Sequence, residues 1–217
     1  GFLYGFAYTL KSVEARGAFL DGAHSLTGWV SFFPKAFLYK STPALLLALA
    51  AGVLLVLMRA RGAGWDRLRV HLHRVAPLLV LFAVYWAVSL PSKLNIGHRH
   101  ILPTYPVLFI FCGVLGWAAA RAWRQSRPGG AVLAGIVTLL IGGQAISAGG
   151  IHPHYLAYFS PVVGGPSQGY KRLVDSSLDW GQDLPGLKQW LDRHRQPGER
   201  VHLSYFGTGE PDYYGIE

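Results

Sequence analysis

Lys93-Leu94-Asn95-Ile96-Gly97-His98-Arg99-His100 is a basic knot set between two apolar segments, Val75 to Leu90 before it and Ile101 to Trp117 after it. Packing explains four ionisable side chains in so short a loop poorly. At the edge of a membrane such groups are costly to desolvate, and by default they mark a functional site. Their sign asks for an anionic partner. The sequence on either side decides whether this is a membrane edge.

The chain has 217 residues, 51% of them hydrophobic and 14% charged, with a mean hydropathy of +0.28. An ordinary soluble domain carries about 25% charged residues, so this composition excludes that class. The apolar residues also come in blocks. Thr42 to Met58 is one, extended upstream past Lys40 by Ala36 to Tyr39; Val75 to Leu90, Ile101 to Trp117 and Gly130 to Gly149 are the others. A helix crosses a bilayer with about 20 such residues and a lower limit of roughly 17. The second block is short by that measure, and Pro77 near its start bears on its boundary. Four spans is the natural count. The expected fold is an α-helical multi-pass membrane protein of about four transmembrane helices, followed by the start of an extracytoplasmic α/β module.

The net charge of +9 is unevenly spread. Arg59, Arg61, Arg67, Arg69 and Arg74 lie between the first and second blocks, opposed only by Asp66. Arg121, Arg124 and Arg127 lie between the third and fourth. Short loops rich in Arg and Lys stay cytoplasmic. A four-span zigzag then puts both basic loops on one side of the cell (inner) membrane. Residues 1–41, the Lys93–His100 loop and everything after Gly149 fall on the other. A nucleic-acid partner is not expected, because no base-stacking aromatics interleave the arginines. Cys112 is alone in the third block and reads as a small core hydrophobe.

Residues 1–41 read as an extracytoplasmic interfacial loop, residues 42–149 as the four-helix transmembrane region, and residues 150–217 as an extracytoplasmic linker and truncated α/β domain. In the last of these, Ile151 to Gly169 is punctuated by Pro and Gly. Asp183 to about His194 reads as an amphipathic helix with Leu184, Leu187, Trp190 and Leu191 on one face. Arg200 to Phe206 alternates like a strand. The chain opens at Gly1-Phe2-Leu3 and stops at Tyr214-Gly215-Ile216-Glu217, which we read as an internal piece of a longer protein.

Arg99 is the best anion ligand in the knot, because its planar fork stays charged and bonds phosphate in a bidentate way. His98 and His100 add hydrogen bonds or carry a proton near neutrality. Lys93 and Lys40 stand at the outer ends of the second and first spans, within reach of the same surface. The plain alternative is that the lysines snorkel and Arg99 meets lipid headgroups without specificity. Asp175, Asp179 and Asp183 are spaced by four, which would align them on a helix, but Ser176-Ser177 and Gly181 favour a loop. They suit an acceptor site or a structural loop, in which Asp179 or Asp183 caps the following helix. A divalent metal is left open with no clear site, since His152 and His154 lack an obvious third ligand. Asp21 is isolated and receives no role.

Three stretches together resemble a known family. Asn95-Ile96-Gly97-His98-Arg99-His100-Ile101-Leu102-Pro103-Thr104-Tyr105-Pro106 resembles the "N-x-G-x-R-H-x-L-P-x-Y-P" segment of bacterial polyprenyl-phosphate-dependent GT-C glycosyltransferases. These are the family 39-like enzymes related to protein O-mannosyltransferases and aminoarabinose transferase. Gly28-Trp29 through Phe33-Pro34, then Lys40-Ser41-Thr42-Pro43, resembles their "G-W-x-x-Y-F-P … K-T-P" stretch. His154-Tyr155-Leu156-Ala157-Tyr158-Phe159, with Gly164-Gly165-Pro166 and Asp175–Asp183, resembles the lead into their extracytoplasmic domain. The resemblance implies the C-terminal half of a hexosyltransferase that moves a sugar from a polyprenyl-phosphate donor to a protein or glycolipid acceptor. It implies lipid-phosphate binding at Arg99, His100, His98, Lys93 and Lys40. The acidic residue that activates the acceptor in such enzymes belongs to an upstream loop, so the catalytic residues here are unknown. The chain departs from the pattern at His98, often apolar in the family, and at Ser41 within the "K-T-P" stretch. A rival reading is a transporter or lipid-handling membrane protein with an anion-binding basic loop. It would show interrupted helices in matched halves, and Gly142-Gly143 beside Gln144 is the only hint of one.

Overall fold

The computed structural model describes residues 1–12, 17–62, 64–125, 129–205 and 207–216. Helix α1 (Phe2–Ser12) opens the chain, with Phe2, Leu3, Tyr4 and Tyr8 exposed. A hairpin follows: β1 (Ala18–Leu20) pairs antiparallel with β2 (Ala23–Ser25). The two-residue link is Asp21-Gly22, with φ of 50° and 85°. Positive φ at both places is what the tight primed hairpin turn demands, and Asp-Gly supplies it at low cost.

The first apolar block is two helices rather than one continued upstream. Helix α2 (Phe32–Lys40) stops at Ser41, whose backbone is extended at φ −91° and ψ 140°. Helix α3 (Pro43–Arg61) then starts afresh. Thr42 caps it by accepting a hydrogen bond from the Leu45 amide at 3.1 Å, and Pro43 fills the first turn, where no amide proton is needed. The second block is longer than its apolar run. Helix α4 (Trp65–Ser89) begins ten residues before Val75 and takes in Arg67, Arg69 and Arg74, which the sequence had placed in a loop. It also runs through Pro77, an interruption that apolar helices tolerate when neighbouring groups resatisfy the backbone. A 3₁₀ helix over His98–Thr104 leads into α5 (Tyr105–Arg124), and α6 (Gly129–Ile151) closes the set.

Four helical stretches are long and apolar enough to cross a membrane: Pro43–Arg61, Trp65–Ser89, His98–Arg124 and Gly129–Ile151. Helix α5 is central and packs on both α3 and α6. Gly52 lets α3 approach closely, since a Cβ there would lie 2.9 Å from the Phe111 ring of α5. The arginine-bearing ends of α3 and α5 meet at one end of the bundle, where Arg59 and Arg121 both lie over the Trp117 ring.

The tightest core sits at the other end of the bundle. Leu20, Phe32, Phe33, Ala36, Ile101, Phe159 and Leu173 bury one another there, drawn from the hairpin, α2, the 3₁₀ helix and the segment after α6. Asp21 knits the same region together. Its carboxylate accepts hydrogen bonds from Lys35 Nζ at 2.8 Å, the Tyr39 hydroxyl at 3.0 Å and Arg172 at 3.2 Å. Burial works to raise its pKa, but these three partners outweigh it and hold the carboxyl below its usual value. An acid that looked isolated in sequence is therefore a structural hub.

After α6 the chain runs through short 3₁₀ turns to α7 (Leu184–His194), the amphipathic helix expected there, except that Trp190 is exposed and stacks on His194 instead of joining the leucine face. Leu184 and Leu191 pack on Ile216, with Val201 and Tyr205 beside them. The expected strand over Arg200 to Phe206 is not formed at residues 200–205, and Phe206 lies outside the described residues. Alternation alone does not make a strand without an edge to pair with, and the only sheet among the described residues is the β1–β2 hairpin. An α/β module is thus not seen.

Candidate functional site

The basic knot is anchored from both sides before its charges are presented. Asn95 is buried; its Oδ1 accepts from the Trp29 amide at 2.6 Å, and its Nδ2 donates to the Ser92 carbonyl at 2.9 Å. Ser176 Oγ donates to the Ile96 carbonyl at 2.9 Å, and the His98 amide donates to Ser177 Oγ at 3.1 Å. Gly97 lies between these clamps because nothing larger fits. A Cβ there would fall 2.3 Å from Ser176 Oγ.

The 3₁₀ helix then separates the three ionisable residues. With about three residues per turn, successive side chains leave the axis roughly 120° apart. His98 turns to Tyr105, with its Nε2 2.8 Å from the Tyr105 hydroxyl, and that hydroxyl lies 3.1 Å from Ser41 Oγ. The Arg99 guanidinium lies over the Trp180 ring, 4.4 Å from its centroid. His100 points elsewhere. Its ring meets Phe33 edge-on, and it lines a separate pocket with Val84, Tyr85 and Ser89.

Lys40 comes to the same place from α2. Its ammonium donates to the Leu156 and Tyr158 carbonyls at 2.8 and 2.9 Å and sits 4.0 Å from the centre of the Phe159 ring. Burial lowers its pKa from 10.5 to about 7. Lys40, His98 and Arg99 line one cavity of about 420 Å³, together with Thr42, Gln144, Ser147 and Tyr158. No carboxylate is among its lining residues. Thr42 Oγ1 donates to Gln144 Oε1 across the α3–α6 gap.

Of the five residues expected to share an anion, the fold therefore gathers three. Lys93 is exposed and lines none of the pockets described here, and His100 faces the second pocket. The sequence reading missed Tyr105, Ser41, Ser176 and Ser177. Gln144 was visible as a lone amide in an apolar block, but hydroxyl residues in loops carry no such signal.

The three aspartates do not align on a helix. Asp175 has φ of 58° and accepts from the Ser176 amide, while Asp179 accepts from the Gly181 amide at 3.0 Å. Asp183 occupies the position before α7 yet makes no side-chain capping bond. Its carboxylate lies 3.7 Å from His154 Nδ1 instead. Asp179, Asp183 and His154 line a larger groove of about 910 Å³ with Trp190 and Tyr205, and Asp175 does not reach it. His152 packs edge-on against Tyr155. Among the described residues no three His, Cys, Asp or Glu side chains gather closely enough to hold a metal ion.

The arrangement is a cavity at one end of a set of membrane-length helices, lined by two cationic side chains and a histidine and by no carboxylate. Comparison with protein-family models, curated proteins and solved structures finds no match for this chain.

Proposed function

We propose that the chain is part of an integral-membrane glycosyltransferase of the polyprenyl-phosphate-dependent type, and that the cavity of Lys40, His98 and Arg99 receives the donor's phosphate. One observation carries the reading: two cations converge on a carboxylate-free cavity at the end of four membrane-length helices. Such a place suits a ligand whose charged head stays near the surface and whose tail lies in lipid. The arginine bias of the opposite bundle end supports an extracytoplasmic position for the cavity in the cell membrane. The sequence motifs around Asn95–Pro106 and Lys40–Pro43 supply the link to sugar transfer.

In this reading the polyprenyl phosphate is the leaving group, and negative charge grows on it as the glycosidic bond breaks. Fixed donors aimed at that charge stabilise the transition state by about 3 kcal/mol each. Arg99 keeps its charge at every relevant pH, and the Trp180 ring holds its guanidinium in place. The groove of Asp179, Asp183 and Trp190 suits the acceptor, on the far side of the 153–158 segment from the phosphate cavity. The segment around α7 is then the start of an extracytoplasmic α/β module. No described residue is assigned as the base. The test is transfer from a polyprenyl-phosphate-linked sugar by membranes carrying Arg99→Ala. We expect transfer to be abolished while the protein still inserts; near-normal transfer would refute the phosphate role.

A further inference from the structure

The two positions where the chain departs from the resembled pattern, Ser41 and His98, are joined through one tyrosine. Ser41 Oγ lies 3.1 Å from the Tyr105 hydroxyl, and that hydroxyl lies 2.8 Å from His98 Nε2. Ser41 is 1% exposed, so it meets no bulk water. The Tyr105 ring is fixed edge-on to His98 and against Phe37. Among the described residues His98 Nδ1 has no hydrogen bond, and His98 lines the cavity shared by Lys40 and Arg99.

A neutral imidazole has one donor and one acceptor nitrogen, and each hydroxyl has a single proton to give. The chain of three therefore has two self-consistent directions. In the first, Ser41 donates to Tyr105, Tyr105 donates to His98 Nε2, and the ring proton resides on Nδ1. In the second, Nε2 donates to Tyr105, Tyr105 donates to Ser41, and Nδ1 presents a lone pair. A phosphate oxygen only accepts, so it is compatible with the first direction and repelled by the second.

We propose that Ser41 and Tyr105 are positioning residues that support the Nδ1–H tautomer of His98 selected by a bound phosphate, making its Nδ1–H a neutral third donor to the phosphoryl group held by Lys40 and Arg99. The proposal rests on the reading that this cavity binds phosphate. It explains why a histidine serves beside two cations. The ring adds a directed hydrogen bond without a third positive charge to repel Lys40 and Arg99. No bond is made or broken and no proton leaves the network; only the direction of three hydrogen bonds is selected.

The test uses the whole protein in lipid nanodiscs and geranyl methyl phosphate, a short-chain phosphodiester, as the probe. Nitrogen-15 spectra of labelled histidine are expected to show His98 as the neutral Nδ1–H tautomer when the probe is bound. Tyr105→Phe is expected to weaken binding about fivefold, the usual size for a lost hydrogen bond between neutral groups, and to mix the tautomers. Its melting temperature serves as the folding control. His98→Asn, whose amide nitrogen stands near the Nδ1 position, is expected to bind within about threefold of wild type. In that background Tyr105→Phe should have no further effect. A bound Nε2–H tautomer or imidazolium overturns the proposal. So does unchanged affinity in Tyr105→Phe when Arg99→Ala abolishes binding, and in that case the phosphate reading survives. Wild-type affinity in both Arg99→Ala and Lys40→Met removes the phosphate reading, and the relay with it.

Discussion

Lys40 makes the pH dependence of ligand binding a direct test of the cavity. Its ammonium is held by two backbone carbonyls and an aromatic ring with no carboxylate nearby, and burial lowers its pKa to about 7. The lysine is therefore charged below about pH 7 and increasingly neutral above it, while Arg99 stays charged throughout. An anion in the cavity favours the charged form, so binding above that pH must take up a proton. Affinity is then flat below about pH 7 and falls about tenfold per unit above it, or about 1.4 kcal/mol per unit. From the flat acid region to about pH 9 the loss is about a hundredfold, and uptake approaches one proton per ligand. Calorimetry of geranyl methyl phosphate binding in buffers of different ionisation heat reads both quantities, because the phosphodiester itself does not titrate in this range. Lys40→Met should bind weakly with a flat profile. A flat wild-type profile without proton uptake, or the same slope in Lys40→Met, would refute the reasoning.

Three further outcomes follow from the geometry. Asp21 has a lowered pKa, so its contribution is present in full above about pH 4 and is lost as pH falls through the lowered value. Asp21→Asn should cost about 2 kcal/mol near neutral pH and flatten the acid side of a melting-temperature profile; an unchanged profile would show the hub to be inert. Gly97→Ala sets a methyl against Ser176 Oγ. It should lower both the melting temperature and the affinity for the probe, with partial recovery when Ser176→Ala is added. Equal melting of Gly97→Ala and wild type would mean that the clamp yields freely. Thr42→Val removes the cap of α3 and the bond to Gln144. It should cost about 1 kcal/mol in denaturant titration, and a change of a few tenths or less would count against both bonds.

Much of the bundle was legible because crossing hydrocarbon demands length and apolarity, which composition displays directly. The four membrane-length helices were readable for that reason, and α7 was readable from the three-and-four spacing of its Leu184–Leu191 face. Where polarity and helicity part company the sequence misled. The arginines before Val75 look like a loop, yet Arg, Leu and Trp propagate a helix well enough for α4 to begin at Trp65. The break between α2 and α3 depends on a Ser-Thr-Pro cap inside an apolar run, a local signal that hydropathy averages away. The knot looked like one cluster because its ionisable residues adjoin in sequence, but the 3₁₀ turn sends His100 to a separate pocket. Tyr105 and Ser177 were invisible for a different reason. Ser177 meets His98 from 79 residues away, and Tyr105 joins His98 to Ser41, 64 residues upstream, pairings that no local pattern displays.

The bonds that hold Lys40 also set an order in time. Its carbonyl partners at Leu156 and Tyr158 lie 116 and 118 residues further along the chain. Lys40 precedes all four membrane-length helices, so these partners are made only after α3 to α6. Until the segment after α6 is made, its ammonium lacks both carbonyl partners. The cavity is completed last, and a chain stopped before Leu156 would carry all four membrane-length helices with its lysine lacking both carbonyl partners.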